Sequence, residues 1–384
     1  MNLNTRILKS LFFLGTTAIG ELSNAIGKSV PITAKGIKDL VKKGLVLNLG
    51  LSDSTGGRKA YLYTADKDKM GHIIAVAIER KKTQIDVFNI DKEKVIETIE
   101  IHISINEAEK LRSAIVEQLQ HIKNSTKDQT YMGIGIISPG FVDAQKKINT
   151  SHTADSPLYN ISSYIEEKLD IPTFIENDST AIALVEMYFG NTKNASPMLV
   201  INLTWGVGLG ILINNSIFKG FKGFAGEFSH IPLADTDTQC LCGKKGCLEV
   251  EASLQTAITY IEDKIAAGEN SILKGTNEIT FEQLAHAYNV GDALTIEAIK
   301  KIGHMLGKGI ATLIHILNPE KIILAGKGIV FGDIILEEVQ SSIHLYCIPR
   351  LSDQTQIEVS ALDNVLTLAA ASTVVDQIPK INVS

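Results

Sequence analysis

Cysteine is scarce in this sequence: there are four in 384 residues, three gathered at Cys240, Cys242 and Cys247 and the fourth, Cys347, alone. That count excludes a disulfide-stapled mini-protein, and the spacing suits a metal better than a disulfide framework. Long apolar runs are missing as well. No window holds the ~18 uninterrupted apolar residues of a membrane span, and the N-terminus lacks a basic stretch, an apolar run and a small-residue cleavage site in that order. These absences predict a soluble, cytoplasmic protein with reduced thiols and no membrane partner. Hydrophobic residues make up 45% and charged residues 21% of the chain, near the globular averages, which excludes wholesale disorder. At roughly 100–200 residues per domain, the length suits two or three domains.

An excess of positive charge is also missing overall, the net charge being −6, but the sign is unevenly placed. Residues 1–64 carry nine basic side chains against three acidic ones, a balance of +6 that leaves −12 for the other 320 residues. A small basic head on a larger acidic body is expected where one domain meets a polyanion such as double-stranded DNA and the other does not.

The head, residues 1–66, reads as a winged helix-turn-helix. Ile7, Leu8, Leu11 and Phe12 line one face of a helix over Asn4–Leu14, Ile19–Ile26 forms a second, and a third starts near Ser29. Ser29 reads as its cap, Pro31 falls in its first turn, and Lys42-Lys43-Gly44 ends it. Two strands follow, Leu45–Leu49 and Lys59–Tyr63, joined by the polar loop Gly50–Arg58.

Beyond Gly71 the texture becomes α/β. Strands at His72–Ile78, Thr83–Ile90 and Val95–Ile103 precede a helix at Glu107–His121, a strand at Tyr131–Ile137, a helix at Ile161–Leu169, a strand at Thr173–Ile175 and a helix from Asp178. A similar βββαβα series restarts at Met198: strands Leu199–Leu203, Leu209–Ile213 and one near Ile217, then helices, strand Lys321–Leu324, a helix, strand Gln356–Val359 and a helix at Val365–Asp376. The expected division is 70–190 for a first lobe and 191–384 for a second, with the C-terminal helix a candidate to return to the first. Two copies facing each other across a cleft are the duplicated actin-like ATPase fold of the sugar kinase, heat-shock protein and actin superfamily.

His230 with Cys240, Cys242 and Cys247 is the most specific motif. Three thiolates and one imidazole complete a tetrahedral zinc shell with no open position, a structural rather than a water-activating site. Gly243 and Gly246 let the backbone turn tightly enough for the sulfurs to converge.

Gly226-Glu227-Phe228-Ser229-His230, the cysteine cluster with Leu248-Glu249 after it, and Glu176-Asn177-Asp178 resemble the signature of the ROK family of repressors, open reading frames and sugar kinases. The resemblance covers nearly the whole chain, because Ser52 to Arg58 with the preceding winged helix is similar to the N-terminal domain of that family's transcriptional repressors. It implies that Asn177, Asp178, Glu227, His230 and Glu249 line a sugar pocket, with the histidine also on zinc, and that Ser138-Pro139-Gly140 closes one side. The chemistry agrees: buried carboxylates and an amide supply the fixed acceptors and donors that tell sugar epimers apart. Asp178, after an apolar strand and opening a helix, also reads as an N-cap, or as a general base for a sugar hydroxyl.

Kinases of this family need two further loops, and both look damaged. The first, normally Asp-x-Gly-Gly-Thr, aligns with Ala77-Ile78-Glu79-Arg80-Lys81, so a glutamate sits where phosphate oxygens would lie. The second, normally Gly-Thr-Gly, aligns with Thr204-Trp205-Gly206, and Ala325-Gly326-Lys327-Gly328 is only partly similar to the adenosine-side segment. The expectation is a sugar-responsive transcriptional regulator, a repressor without a catalytic residue in use, Asp178 being a vestigial base. Its effector is a sugar or sugar phosphate, its cofactor structural zinc. The alternative is an active ATP-dependent sugar kinase with a fused regulatory domain; a metal-dependent hydrolase is excluded by the closed zinc shell. A homodimer or higher homo-oligomer is expected, because such repressors read two half-sites and one small winged helix neutralises too few phosphates for tight binding. Ser29, Thr33, Lys35, Lys38 and Arg58 are the candidate DNA contacts. Arg58→Ala is expected to weaken operator binding by about 1–3 kcal/mol, measured by gel-shift titration at fixed salt.

Overall fold

A computed structural model describes residues 2–52, 59–125, 129–190, 195–379 and 381. Residues 53–58, with the expected wing contact Arg58, lie outside the described residues. The chain divides into two compact units, Met1–Ala181 with Asn364–Ser384, and Ile182–Asp363. Among the described residues no helix is long and apolar enough to cross a membrane.

The first unit opens with α1 (Leu3–Leu14), β1 (Thr17–Ala18), α2 (Ile19–Ile26), α3 (Val30–Lys42), β2 (Val46–Leu51) and β3 (Tyr61–Ala65). Asn2 caps α1, its side chain accepting from Thr5 N–H at 2.8 Å. The expected stripe Ile7, Leu8, Leu11 and Phe12 is buried, and α3 reaches it through Gly36, whose absent Cβ would lie 2.5 Å from Ile7 Cδ1. Ser29 precedes α3, yet its side chain makes no cap bond; instead its carbonyl accepts from Thr33 N–H at 3.0 Å and from Thr33 Oγ1 at 3.1 Å. The C-terminus follows expectation. Gly44 takes φ 71, and Leu45 N–H to Leu40 O (2.9 Å) with Gly44 N–H to Val41 O (3.0 Å) closes a Schellman turn. Strand β1, too short to show a sequence period, exists because Thr17 and Ala18 pair antiparallel with β3, making a sheet of order β1-β3-β2.

Next come β4 (His72–Ile78), β5 (Thr83–Phe88), β6 (Ile99–Ile101), α4 (Ala108–Ser125), β7 (Tyr131–Ser138), the hairpin β8 (Val142–Asp143) and β9 (Ile148–Asn149), α5 (Ile161–Leu169), β10 (Thr173–Asn177) and α6 (Asp178–Phe189). Strand β5 stops two residues early because the Asn89 side chain accepts from Asp91 N–H and Glu93 N–H at 3.0 Å each, turning the chain. The third strand shrinks to Ile99–Ile101. The second series is β11 (Met198–Leu203), β12 (Val207–Ile213), β13 (Ser216–Ile217), α7 (Glu249–Ala252), α8 (Leu254–Ala266), α9 (Phe281–Asn289), α10 (Ala293–Leu317), β14 (Lys321–Ala325), α11 (Gly332–Tyr346), α12 (Pro349–Ser352), β15 (Gln356–Val359) and α13 (Leu366–Gln377). The two large sheets run β10-β7-β4-β5-β6 and β13-β12-β11-β14-β15. Leaving aside the β8–β9 hairpin, each places its strands in the same order. Each is antiparallel across its first three strands and parallel across the rest, so the expected duplication is present.

Helix α13 belongs to the first unit. It lies against β7 where glycines replace side chains: a Cβ at Gly135 would run into the Ala370 carbonyl, and one at Gly133 would lie 2.9 Å from Val374 Cγ1. The C-terminal end of α13 touches two neighbours. Gln377 Nε2 donates to Ile175 O and Glu176 Oε2 at the end of β10, both at 3.2 Å, and the carbonyl of Asp376 accepts from Lys9 Nζ of α1 at 2.7 Å. In the reverse sense Lys92 Nζ donates to Phe12 O, in the last turn of α1, at 2.7 Å. Burial pushes the ammonium groups of Lys9 and Lys92 down from the ordinary lysine range, and cations at helix C-termini complement the dipole.

Gly135→Ala is expected to lower the unfolding free energy by about 1–3 kcal/mol, since backbone must move, whereas Gly36→Ala meets only side-chain atoms of Ile7 and Leu3 and should cost less. Paired denaturant melts check the difference.

Candidate functional site

In the second unit, His230, Cys240, Cys242 and Cys247 converge, with one ligand atom from each lying within 4.8 Å of the others. Cys240 Sγ is 3.5 Å from His230 Nδ1, and Cys242 Sγ is 3.6 Å from Cys247 Sγ. Zinc–sulfur bonds near ~2.3 Å require tetrahedral edges of about 3.7 Å, so the quartet has the size of a metal shell. Gly243 and Gly246 take φ 88 and 66, and a Cβ on Gly246 would strike the Ala234 carbonyl. Burial, reinforced by the neighbouring thiols, pushes the Cys247 thiol up to about 12, and burial raises that of Cys240. The Lys244 backbone N–H lowers that of Cys242. Without a cation, these buried sulfurs favour the protonated thiol; a bound metal ion would take the place of those protons. Ring nitrogen Nδ1 of His230 faces the sulfurs while Nε2 lies 3.9 Å from Glu227 Oε2, so the ring presents its two nitrogens to opposite sides.

In the first unit, the loop after β7 and the corner from β10 to α6 meet. Asn177 Nδ2 donates to Gly140 O at 3.0 Å, and Asn177 Oδ1 accepts from Thr180 N–H at 3.1 Å. The helix cap is therefore Asn177, one residue earlier than the expected Asp178. Asp178 opens α6, and its Oδ1 accepts from Ser179 N–H at 2.7 Å. Gly140 takes φ 102, and a Cβ there would run into Ser151 Oγ. Ser138, 4% exposed, sits behind the loop.

Asn149 and Ser151 shape this corner. Asn149, 1% exposed, donates to Pro139 O (2.9 Å) and Ser138 Oγ (3.2 Å) and accepts from Ser151 N–H (3.0 Å). Ser151 Oγ accepts from Phe141 N–H at 2.8 Å. No periodicity marks these residues; their partners lie ten residues away. Burial lowers the pKa of His152, beside them, below the ordinary histidine value.

Glu249, at the first turn of α7, reaches the loop between β11 and β12. Its Oε2 accepts from Val207 N–H at 2.9 Å, and a Cβ on Gly206 would lie 2.5 Å from its Oε1. Lys327 lies over Trp205 (5.7 Å) and Phe281 (5.6 Å). In the first unit the aligned loop is a tight hairpin, Glu79 N–H donating to Lys82 O at 2.8 Å.

On α3, Lys35 and Lys38 are exposed as expected. Thr33 is not: it is fully buried with its hydroxyl on Ser29 O, because position 33 falls on the face packed against α1, and this removes it from the surface available to DNA. Ile32, 48% exposed, and Lys42 join Lys35 and Lys38 on the outward face; their spacing of three and four residues is the signal that would have found them. Asp39 anchors the inner side to α1, its carboxyl held below the ordinary range by hydrogen bonds from Lys43 and Asn4.

Asn149→Ala should destabilise the protein by about 1–3 kcal/mol, the cost of stranding buried polar partners, with Tm and urea midpoint falling together.

The ROK family model matches residues 73–377. The xylose repressor of Bacillus spizizenii is 25% identical over 373 residues, 96% of this chain and 94% of the relative. A crystal structure of a ROK family transcriptional regulator, a homologue of the E. coli MLC protein, superposes with a TM-score of 0.79 at 22% identity, covering 97% of this chain and 95% of that one. A ROK family glucokinase from Streptomyces griseus, solved with glucose and AMPPNP, superposes with a TM-score of 0.67 at 22% identity, covering 80% of this chain and 98% of the kinase. Both likenesses carry the fold. With its duplicated βββαβα sheets and the family match spanning most of its length, the chain belongs to the ROK family.

Proposed function

We propose that this chain is a sugar-responsive transcriptional repressor: residues 1–66 bind operator DNA, and the actin-like body, 70–190 and 191–384 by sequence, binds a sugar without phosphorylating it. The observation that carries this reading is the Glu249 carboxylate on Val207 N–H. Phosphoryl transfer requires amides that can approach an anion, and in this loop the amide already holds one of the chain's own carboxylates. Trp205 and Lys327 beside it support the same reading.

Pro139, Gly140, Asn177 and Asp178, backed by Ser138, together with Glu227, His230 and Glu249, are the proposed sugar contacts, and Asp178 accepts from a sugar hydroxyl. His230, Cys240, Cys242 and Cys247 would hold a structural zinc. Such an ion fixes the loop 230–247 and the orientation of the His230 ring, while Glu227 and His230 Nε2 present polar atoms to hydroxyls. Lys35 and Lys38 are the proposed contacts to bases or phosphates on α3, with Arg58 on the wing, and the protein acts as a homodimer on paired half-sites. The sugar shifts DNA binding only by its difference in affinity for the two states of the protein. The contacts of α13 with Glu176 and with Lys9 offer a physical connection for that coupling.

Metal analysis of the purified protein should find one zinc per chain, lost in Cys242→Ser together with several degrees of Tm. Asp178→Asn should weaken the sugar response while leaving operator binding without sugar unchanged, read by gel shift with and without sugar. An ADP-release assay with the same sugars should detect no turnover; rates of roughly 1 per second or faster would restore the kinase reading.

A further inference from the structure

We infer that α3 reads DNA sequence through thymine methyl groups, which the exposed apolar side chains of Val30 and Ile32 in its first turn cover in the major groove. This rests on the DNA-binding reading above and names the chemistry by which the head selects a sequence. Helix α2 ends at Gly27, which takes φ 60. Gly27 N–H donates to Asn24 O at 3.1 Å and Lys28 N–H to Ser23 O at 3.0 Å, and after the turn Gly27-Lys28-Ser29 the chain enters α3 at Val30. Two helices joined by a short turn that contains glycine are a helix-turn-helix. In that arrangement the N-terminal residues of the second helix meet base edges.

Residue type then decides the mode of readout. Thr33, Gly36, Ile37 and Leu40 are buried and hold α3 to the rest of the head. Val30 and Ile32 are each 48% exposed, and Pro31 between them is exposed as well. Pro31 has a structural reason to be there, since proline suits the first turn of a helix; Val30 and Ile32 have none. From Gly27 to Lys43 the sequence holds no arginine, asparagine or glutamine. Adenine therefore has no bidentate partner on α3, because asparagine and glutamine are the side chains that pair with its N6 and N7. The feature that still marks an A·T pair for an apolar side chain is the C5-methyl group of thymine, which lies in the major groove.

Charge identifies the occupant of this apolar turn as DNA. Lys28 precedes it and Lys35, Lys38 and Lys42 follow at helical spacing, all four exposed. Asp39 is the sole acidic residue of α3, and its carboxylate is engaged by Lys43 at 2.9 Å and by Asn4 Nδ2 at 2.6 Å. A lysine frame of this kind fits a polyanion rather than a second copy of the same basic head. Its ammonium groups neutralise phosphates and hold the helix in the groove whatever the sequence. Val30 and Ile32 add nothing to that electrostatic term. They gain free energy only where a methyl group leaves water with them, so their contribution differs from one base pair to the next.

The test begins by selecting bound sequences from random duplex DNA with the full-length protein. Each thymine of a selected half-site is then replaced singly by deoxyuridine, which deletes one methyl group and keeps every hydrogen-bonding group of the base pair. Gel-shift titrations at fixed salt compare the unsubstituted protein with Ile32→Ala and Val30→Ala, whose Tm should not change because both side chains are exposed. At least one replacement per half-site should weaken binding of the unsubstituted protein about three- to fivefold, the value of one buried methyl-sized group. One of the two variants should no longer sense that replacement. A selected half-site without thymine, an unsubstituted protein indifferent to every replacement, or the same loss in the unsubstituted protein and both variants would overturn this inference and leave the DNA-binding reading standing. Failure to enrich any sequence would overturn both.

Discussion

The placement of α13 on β7 is the constraint on which the first unit depends. Gly133 and Gly135 remove two side chains from one face of the strand, so helix backbone lies directly against sheet backbone. That contact brings a C-terminal segment of the chain into the unit formed by its N-terminal half. It also sets where Gln377 and Asp376 fall, and so which neighbours they bond: Glu176 at the end of β10, next to the Asn177–Asp178 corner, and Lys9 in α1. A bulkier residue at position 135 would push the helix off the sheet and move both contacts together. Packed elements of this kind shift as bodies rather than deform continuously.

A second constraint concerns charge. In the family's kinase-like fold, the turns between strands present backbone amides, and amides attract anions. Here Asn177 and Asp178 take the first amides of α6, and Glu249 takes Val207 N–H. The same carboxylates that anchor these turns remain acceptors for hydroxyls. The metal quartet plays a different part. Its four side chains converge from a loop of poor regular structure, with His230 Nδ1 facing the sulfurs and Nε2 on the side of Glu227.

Much of this was legible from sequence because it depends on residues close together in the chain. The three helices of the head, the two βββαβα series and the stop at Gly44 follow from periodicity and turn chemistry over a few residues, and they appear where expected to within a few positions. The quartet was legible because three of its ligands lie within eight residues and thiolates have few other reasons to cluster. Reading failed where a short local signal met a distant partner. Thr33 looked like a surface threonine on a recognition helix, and only the closeness of α1 at Gly36 buries that face. Ser29 looked like a cap, yet its carbonyl rather than its hydroxyl serves the helix. Asp178 looked like the cap of α6, a role that Asn177 takes because its amide also bonds Gly140, thirty-seven residues earlier.

The sequence by itself determined the class of fold, the duplication, the metal quartet and the loss of the small-residue phosphate loops, since each is a property of residue type at short spacing. Only the tertiary structure decided that Asn149 is the hub of the Gly140 loop, that Glu249 closes on Val207, and that α13 bonds both the β10 corner and Lys9 of α1. The physical reason is common to all three. A hydrogen bond is specified by the position of two groups in space, and groups ten, forty or several hundred residues apart acquire their positions only when sheets and helices pack.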